Sequence, residues 1–73
     1  MFELERGLEM LELQNFVSKY GMGIRVEELV VKAYRRLVID GHDCFILNER
    51  YINVDGHNYQ LIRKNRQWTV KEF

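Results

Sequence analysis

Residues 51–71 read Tyr-Ile-Asn-Val-Asp-Gly-His-Asn-Tyr-Gln-Leu-Ile-Arg-Lys-Asn-Arg-Gln-Trp-Thr-Val-Lys, and the architecture of the chain follows from their pattern. Apolar residues alternate with polar ones, which is typical of β-strands that bury one face. The Asp-Gly pair at 55–56 stands between two such runs, and this combination is a strong signal for a β-hairpin turn. The pattern predicts three antiparallel strands at 51–54, 59–63 and 68–71, joined by turns at 55–58 and 64–67.

The register of these strands follows if one face of the sheet is apolar. We pair Val54 with Tyr59 and Arg63 with Trp68, because a slip by one residue would mix apolar and polar side chains on each face. The predicted apolar face consists of Ile52, Val54, Tyr59, Leu61, Trp68 and Val70. The opposite face carries Asn53, Gln60, Thr69 and Lys71, with Tyr51 and Ile62 as apolar exceptions.

Two segments ahead of the sheet repeat apolar residues with the period of an α-helix. The more regular segment covers about residues 25–39, with glutamates in its first turn and arginines near its end, which complements the helix dipole. Its apolar face consists of Val26, Leu29, Val30, Ala33, Tyr34 and Leu37. Asp40-Gly41 is a plausible stop for this helix. The other segment covers about residues 2–20 and ends before Gly21-Met22-Gly23, since two close glycines favour a turn.

These patterns predict one α+β domain over residues 1–73, in which one or two N-terminal helices pack on a three-stranded antiparallel meander. Between the helices and the meander lies the apolar run Cys-Phe-Ile-Leu at 44–47. This run is either a separate buried strand or the start of a longer, bulged first strand, and the pattern favours neither. No repeat, proline or low-complexity linker divides the chain.

The first helical segment carries two apolar stripes where a helix with one buried face needs only one. One stripe consists of Leu4, Leu8 and Leu11, and the wider stripe of Met10, Leu13, Phe16, Val17 and Tyr20. Either the helix contacts both its own domain and a partner, or it bends near Gly7 or Glu12 and uses one face at a time. We predict a homodimer contact through the wider stripe, although the reverse assignment fits the pattern equally.

The size and composition of the chain favour a partner subunit. The chain has 73 residues, 47% of them hydrophobic, and its single cysteine, Cys44, excludes an internal disulfide. A domain of this size seldom gains more than about 3–5 kcal/mol from one core and usually adds disulfides, a metal or a subunit. We therefore expect a homodimer. The sequence lacks a signal-peptide pattern and a membrane-spanning apolar run, so we expect a cytoplasmic protein without membrane association.

Few residues have the chemistry of a catalytic or metal site. His42, Asp43, Cys44 and His57 are the only cluster of metal-ligand types, and they lack the paired spacing of a zinc site. Cys44 opens an apolar run, which indicates a buried, inert thiol rather than a nucleophile. We therefore predict no enzymatic activity, no cofactor and no metal site.

The last predicted turn is strongly basic. Arg63, Lys64, Arg66 and Lys71 put four positive charges within nine residues, with no acid among them. A basic hairpin can contact phosphates as the wing of a nucleic-acid-binding domain. The whole chain, however, balances eleven Lys and Arg against eleven Asp and Glu, so it lacks the overall positive field of a general nucleic-acid binder. Nucleic-acid binding through these four residues is therefore the alternative prediction.

Three stretches carry a resemblance to a known family. They are the Glu- and Leu-rich start, Val-Glu-Glu-Leu-Val-Val-Lys-Ala-Tyr-Arg-Arg at 26–36, and Tyr-Ile-Asn-Val-Asp-Gly-His-Asn-Tyr at 51–59. With them the chain resembles the Yopt family of small, uncharacterised proteins associated with a Bacillus prophage. The resemblance implies a homodimer with one helix and three strands and no assigned activity, whereas the pattern here has two helical segments. The leading prediction is a small homodimeric interaction or regulatory protein that binds itself and an unknown host or phage protein.

Overall fold

The computed structural model describes the backbone of residues 2–73 and the side chains from residue 10 onward. In chain order the elements are α1 (Phe2–Tyr20), α2 (Val26–Ile39), β1 (Cys44–Asn48), β2 (Tyr51–Val54), β3 (His57–Lys64) and β4 (Gln67–Glu72). The strands form one antiparallel sheet in the order β1-β2-β3-β4. Helix α1 contacts β4 and helix α2 contacts β1 and β2, so both helices cover the same face. The predicted α+β fold class is confirmed. Within the described residues no helix is long and apolar enough to span a bilayer.

The prediction of three strands is wrong, because the run at 44–47 forms a strand of its own. Cys44 lies opposite Val54 and Ile46 lies opposite Ile52 in an antiparallel pair, and the register shifts after Ile46. Strand β1 is therefore separate from β2 and irregular at its end. The run gave no clear signal because it is apolar throughout and lacks the two-residue alternation of a half-buried strand. Two helices and four strands also differ from the one helix and three strands that the resemblance implied.

The first hairpin is tighter than predicted. Val54 pairs with His57 instead of Tyr59, because only Asp55 and Gly56 form the loop. Their φ angles of 51° and 88° belong to the left-handed region that a two-residue type I′ turn requires. A shift by two residues keeps every side chain on its face. The predicted apolar face is accordingly confirmed, with these side chains buried: Ile52, Val54, Tyr59, Leu61 and Val70.

The second hairpin has the predicted register, with Arg63 opposite Trp68. Its loop is shorter than predicted, because Lys64 pairs with Gln67 and leaves only Asn65 and Arg66 in the turn. Both turn residues have positive φ, 53° and 65°. Asparagine tolerates this region, whereas arginine is uncommon in it. The pairing of the flanking strands therefore holds the turn in a conformation that its sequence alone does not favour.

The two helices bury one face each. In α2 the buried residues are Leu29, Val30, Ala33 and Leu37, as predicted. In α1 Leu13 and Val17 are fully buried, and Met10 and Phe16 pack against the core. The wider apolar stripe of α1 therefore packs on the chain's own core, whereas the prediction assigned this stripe to the dimer contact.

Leu13 and Val17 belong to the chain's own core, so the dimer contact predicted through this stripe needs correction. Tyr20 is 48% exposed and Leu11, from the other stripe, is 55% exposed. The side chains of Leu4 and Leu8 lie outside the described residues. Helix α1 runs without a break through Gly7 and Glu12.

Truncation of the two leucines on opposite stripes of α1 tests this orientation. We expect Leu13→Ala to lower the free energy of unfolding by about 2–5 kcal/mol, because it leaves a cavity in a closed core. Leu11→Ala, the matched control, should change it by less than about 0.5 kcal/mol, because the side chain is largely in water. Urea unfolding followed by circular dichroism measures both. Equal losses in the two variants would contradict the orientation of α1.

Candidate functional site

The four basic residues of the second hairpin lie on different sides of the sheet. All four are exposed, but Arg63 shares the helix-covered face with Leu61, whereas Lys64 and Lys71 belong to the opposite face. Arg66 lies in the turn itself. Within the described part of the chain no carboxylate forms a salt bridge with any of the four. The predicted basic site is thus accessible, but it does not form a single surface.

Arg63 instead lines a cleft with two arginines that the sequence patterns did not indicate. The cleft has a volume of about 680 Å³ and is lined by Arg25, Arg50, Arg63, Trp68 and Glu27, among others. It lies beside the part of β3 that extends past the start of β2: Tyr51 of β2 pairs with Gln60, while the β3–β4 hairpin continues to Lys64. The three arginines come from separate segments of the chain, so no local motif contains them.

Trp68 forms a wall of this cleft and is held firmly. Its indole Nε1–H donates to the carbonyl oxygen of Gly21 at 2.8 Å. Gln14 of α1 forms two hydrogen bonds with the backbone of β4. Its side-chain nitrogen donates to the Trp68 carbonyl at 3.1 Å, and its side-chain oxygen accepts from the Val70 N–H at 2.9 Å. A Cβ atom on Gly21 would clash with Cδ1 of Trp68, so only glycine fits there.

His42 connects α1 to the first hairpin. Its Nδ1 lies 2.6 Å from Oδ2 of Asp55, and its Nε2 lies 2.6 Å from Oε2 of Glu12. The second oxygen of Asp55 accepts the backbone N–H of Asp43 at 2.8 Å. The hydrogen bond to Asp55 is the main cause that raises the pKa of His42 above 6.5, Glu12 adds to it, and partial burial opposes both.

The two histidines of the metal-ligand cluster noted in the sequence have separate partners in the fold. His57, which follows the turn residues Asp55 and Gly56, has its Nδ1 3.2 Å from the Glu72 carboxylate, whereas His42 contacts Glu12 and Asp55. Cys44 is buried, as predicted. Among the side chains from residue 10 onward, no group of three or more His, Cys, Asp or Glu is arranged to hold a metal ion. His42 instead serves as a bridge between two carboxylates.

Comparisons of this chain with protein-family models, curated proteins and solved structures give no match. The resemblance to the Yopt family consequently stays a prediction that depends on the three quoted stretches.

The His42 bridge predicts a pH dependence of stability. Because folding raises the pKa of His42 above 6.5, the folded state binds the proton more tightly than the unfolded state. The contribution is complete below pH 6.5 and is lost as the pH rises through the raised pKa. We therefore expect the free energy of unfolding to fall with rising pH across this window. In His42→Gln this decline should be absent or much weaker.

Urea unfolding at a series of pH values measures the effect, and the NMR titration of the His42 ring reports its pKa directly. The same decline in wild type and His42→Gln would contradict the assignment, because the titrating group would then lie elsewhere.

Proposed function

We propose that this protein is a small homodimeric interaction protein, and that it dimerises through the sheet face that the helices leave uncovered. The observation that carries the proposal is an exposed apolar surface on this face, here called the outer patch: Phe45, Leu47, Tyr51 and Phe73. Phe45 is 59% exposed, Leu47 is 51% exposed and Phe73 is 58% exposed. Clustered apolar exposure of this kind is uncommon on monomers and usually marks a contact site.

The outer patch has an ordered structure. Phe45 lies opposite Asn53, Asn53 lies opposite Asn58, and the Phe73 N–H donates to the Asn58 carbonyl at 3.0 Å, so one row crosses the whole sheet. The Asn53 side-chain nitrogen donates to the Asn58 side-chain oxygen at 2.8 Å in the middle of this row. The rings of Tyr51 and Phe73 meet edge to face, with centroids 5.2 Å apart. The patch is therefore a continuous surface rather than scattered side chains.

A second copy of the chain is the occupant that suits this face. The outer side chains of β1 and β2 in and beside this row carry no charge, whereas Lys64 of β3 and Lys71 of β4 lie on the same face toward the second hairpin. A two-fold axis over β1 and β2 would therefore bring no like charges together. A standard interface buries about 800 Å² per partner. That is about one-seventh of the 5380 Å² surface of the chain. A second subunit also provides the support that so small a core needs.

The cellular setting completes the proposal. We place the homodimer in the cytoplasm, which is supported by a chain whose only cysteine allows no internal disulfide. Its further partner would be a host or phage protein, and the association with a prophage depends on the Yopt resemblance alone.

Sedimentation of two lysine variants tests the dimer and its surface together. We expect the wild type to sediment at twice the mass of the chain at micromolar concentration, and Phe45→Lys to sediment as a folded monomer, because a buried lysine would lack a partner. Ile39→Lys is the matched control: Ile39 is 78% exposed at the end of α2, on the other side of the domain, and the variant should remain a dimer.

Two outcomes would contradict this proposal. A folded wild-type monomer would overturn the dimer. A dimer that survives Phe45→Lys and dissociates in Ile39→Lys would move the contact to α2 and overturn the outer patch.

Nucleic-acid binding through the basic hairpin is the second candidate, supported by the exposure of all four of its cations. Replacing Arg63, Lys64 and Arg66 with alanine should abolish binding of a short DNA duplex at low salt. Removal of one cation that neutralises a phosphate should reduce the slope of log affinity against log salt by about 0.9. A control that replaces Lys32, Arg35 and Arg36 changes the net charge equally and should bind as the wild type does. Absence of salt-dependent binding by fluorescence anisotropy would eliminate this candidate.

A further inference from the structure

The cleft beside the β3–β4 hairpin concentrates positive charge in a chain whose net charge is zero. Arg25 precedes α2, Arg50 precedes β2 and Arg63 belongs to β3, and all three line the same space. Among the side chains from residue 10 onward, Glu27 is the only acid on its wall. Within the described residues none of the three guanidinium groups forms a salt bridge, so no direct ion pair offsets their mutual repulsion. An anion bound between them would offset it directly.

Arginine is the residue that best recognises phosphate in such a position. Its planar guanidinium group donates two parallel hydrogen bonds to phosphate oxygens, and it stays charged at every physiological pH. Three arginines exceed what a single carboxylate requires and match a ligand with several phosphate charges. The volume of about 680 Å³ also exceeds the size of one phosphate and lies in the range of pockets that bind small molecules and cofactors.

Trp68 supplies the apolar part of this site. The indole is only partly buried and lines the cleft beside the arginines. Its hydrogen bond to Gly21 fixes the ring, so a ligand need not order it on binding. Planar aromatic side chains are preferred contacts for nucleobases.

We propose that this cleft binds a nucleotide-sized, phosphate-bearing ligand, with Arg25, Arg50 and Arg63 holding the phosphates and Trp68 contacting the base. The proposal does not require the homodimer, because no residue of the outer patch lines the cleft, although Gln60 of the cleft contacts Tyr51 of that patch. It also differs from the second candidate, since two of its three arginines lie outside the basic hairpin. The phosphates could belong to a free nucleotide or to a nucleic-acid strand, and the experiment separates these sources.

The intrinsic fluorescence of Trp68, the only tryptophan in the chain, reports binding without a label. The full chain is titrated at low salt with adenosine triphosphate and, separately, with a single-stranded ten-nucleotide thymidine oligomer. We expect a saturable change in Trp68 emission with at least one of the two. Arg50→Ala should weaken that binding at least tenfold, because it removes one guanidinium from the cleft. Arg35→Ala, an exposed arginine on α2 with the same change in charge, should leave the affinity within twofold of the wild type.

The outcomes assign the source of the phosphate or overturn the site. An Arg50-dependent response to adenosine triphosphate supports a free nucleotide, and one to the oligomer alone supports a strand. The cleft is overturned if neither probe gives a saturable response, or if Arg35→Ala weakens binding as much as Arg50→Ala. It is equally overturned if removing Lys64 and Arg66 abolishes binding while Arg50→Ala does not, which would support the basic hairpin instead. Circular dichroism of each variant confirms that the fold is retained.

Discussion

The contact between Gly21 and Trp68 is the constraint on which the arrangement of helices and sheet depends. The residue after α1 must lie directly on the indole ring, and a side chain as small as a methyl group would clash with it. The hydrogen bond from the indole to the Gly21 carbonyl then fixes the ring in the same place. As a result, the end of α1, the start of the connection to α2 and the edge strand β4 share one fixed point. The wall of the arginine-lined cleft is built on that point.

The same helix is anchored a second time through His42. Glu12 on α1 and Asp55 in the first hairpin both contact the imidazole, so the ring joins two segments that are distant in sequence. Asp55 has two roles here, because it also occupies a left-handed position in the turn. Asp55 therefore suits the backbone conformation of the turn and also supplies a carboxylate that helps His42 to hold α1 in place. The strength of this anchor depends on the proton of His42, whereas the anchor at Gly21 does not depend on pH.

Sequence patterns predicted the elements whose two faces differ. The predictions of helix α2 and of the apolar face of the sheet were correct, because the burial of one face makes apolar residues recur with the period of a helix or a strand. Strand β1 was left open between a separate strand and the start of a longer first strand, since four consecutive apolar residues have no period. The register of the first hairpin was wrong by two residues for a related reason: alternation determines the face of each side chain but does not determine the length of the loop.

The orientation of α1 and the cleft could not be obtained from the sequence at all. Two apolar stripes on one helix are equivalent until the position of the sheet is known, and Leu13 and Leu11 differ only in what they face. The three arginines of the cleft are separated by 25 and 13 positions along the chain, and only the projection of the β3–β4 hairpin beyond β2 brings them to one space. The basic hairpin could be recognised because its four charges lie within nine residues of the sequence. The arginines of the cleft come together only when the chain folds.

The two proposed surfaces meet at one residue, and this has a thermodynamic consequence. Gln60 lines the arginine cleft and also borders the hollow between Leu47, Tyr51 and Phe73 on the outer face. Its side-chain nitrogen lies 3.4 Å from the Tyr51 hydroxyl, so the two are in contact. A ligand that draws Gln60 into the cleft would remove its contact with Tyr51 of the outer patch. Dimerisation and ligand binding would then be coupled, and the coupling free energy would be the same in both directions.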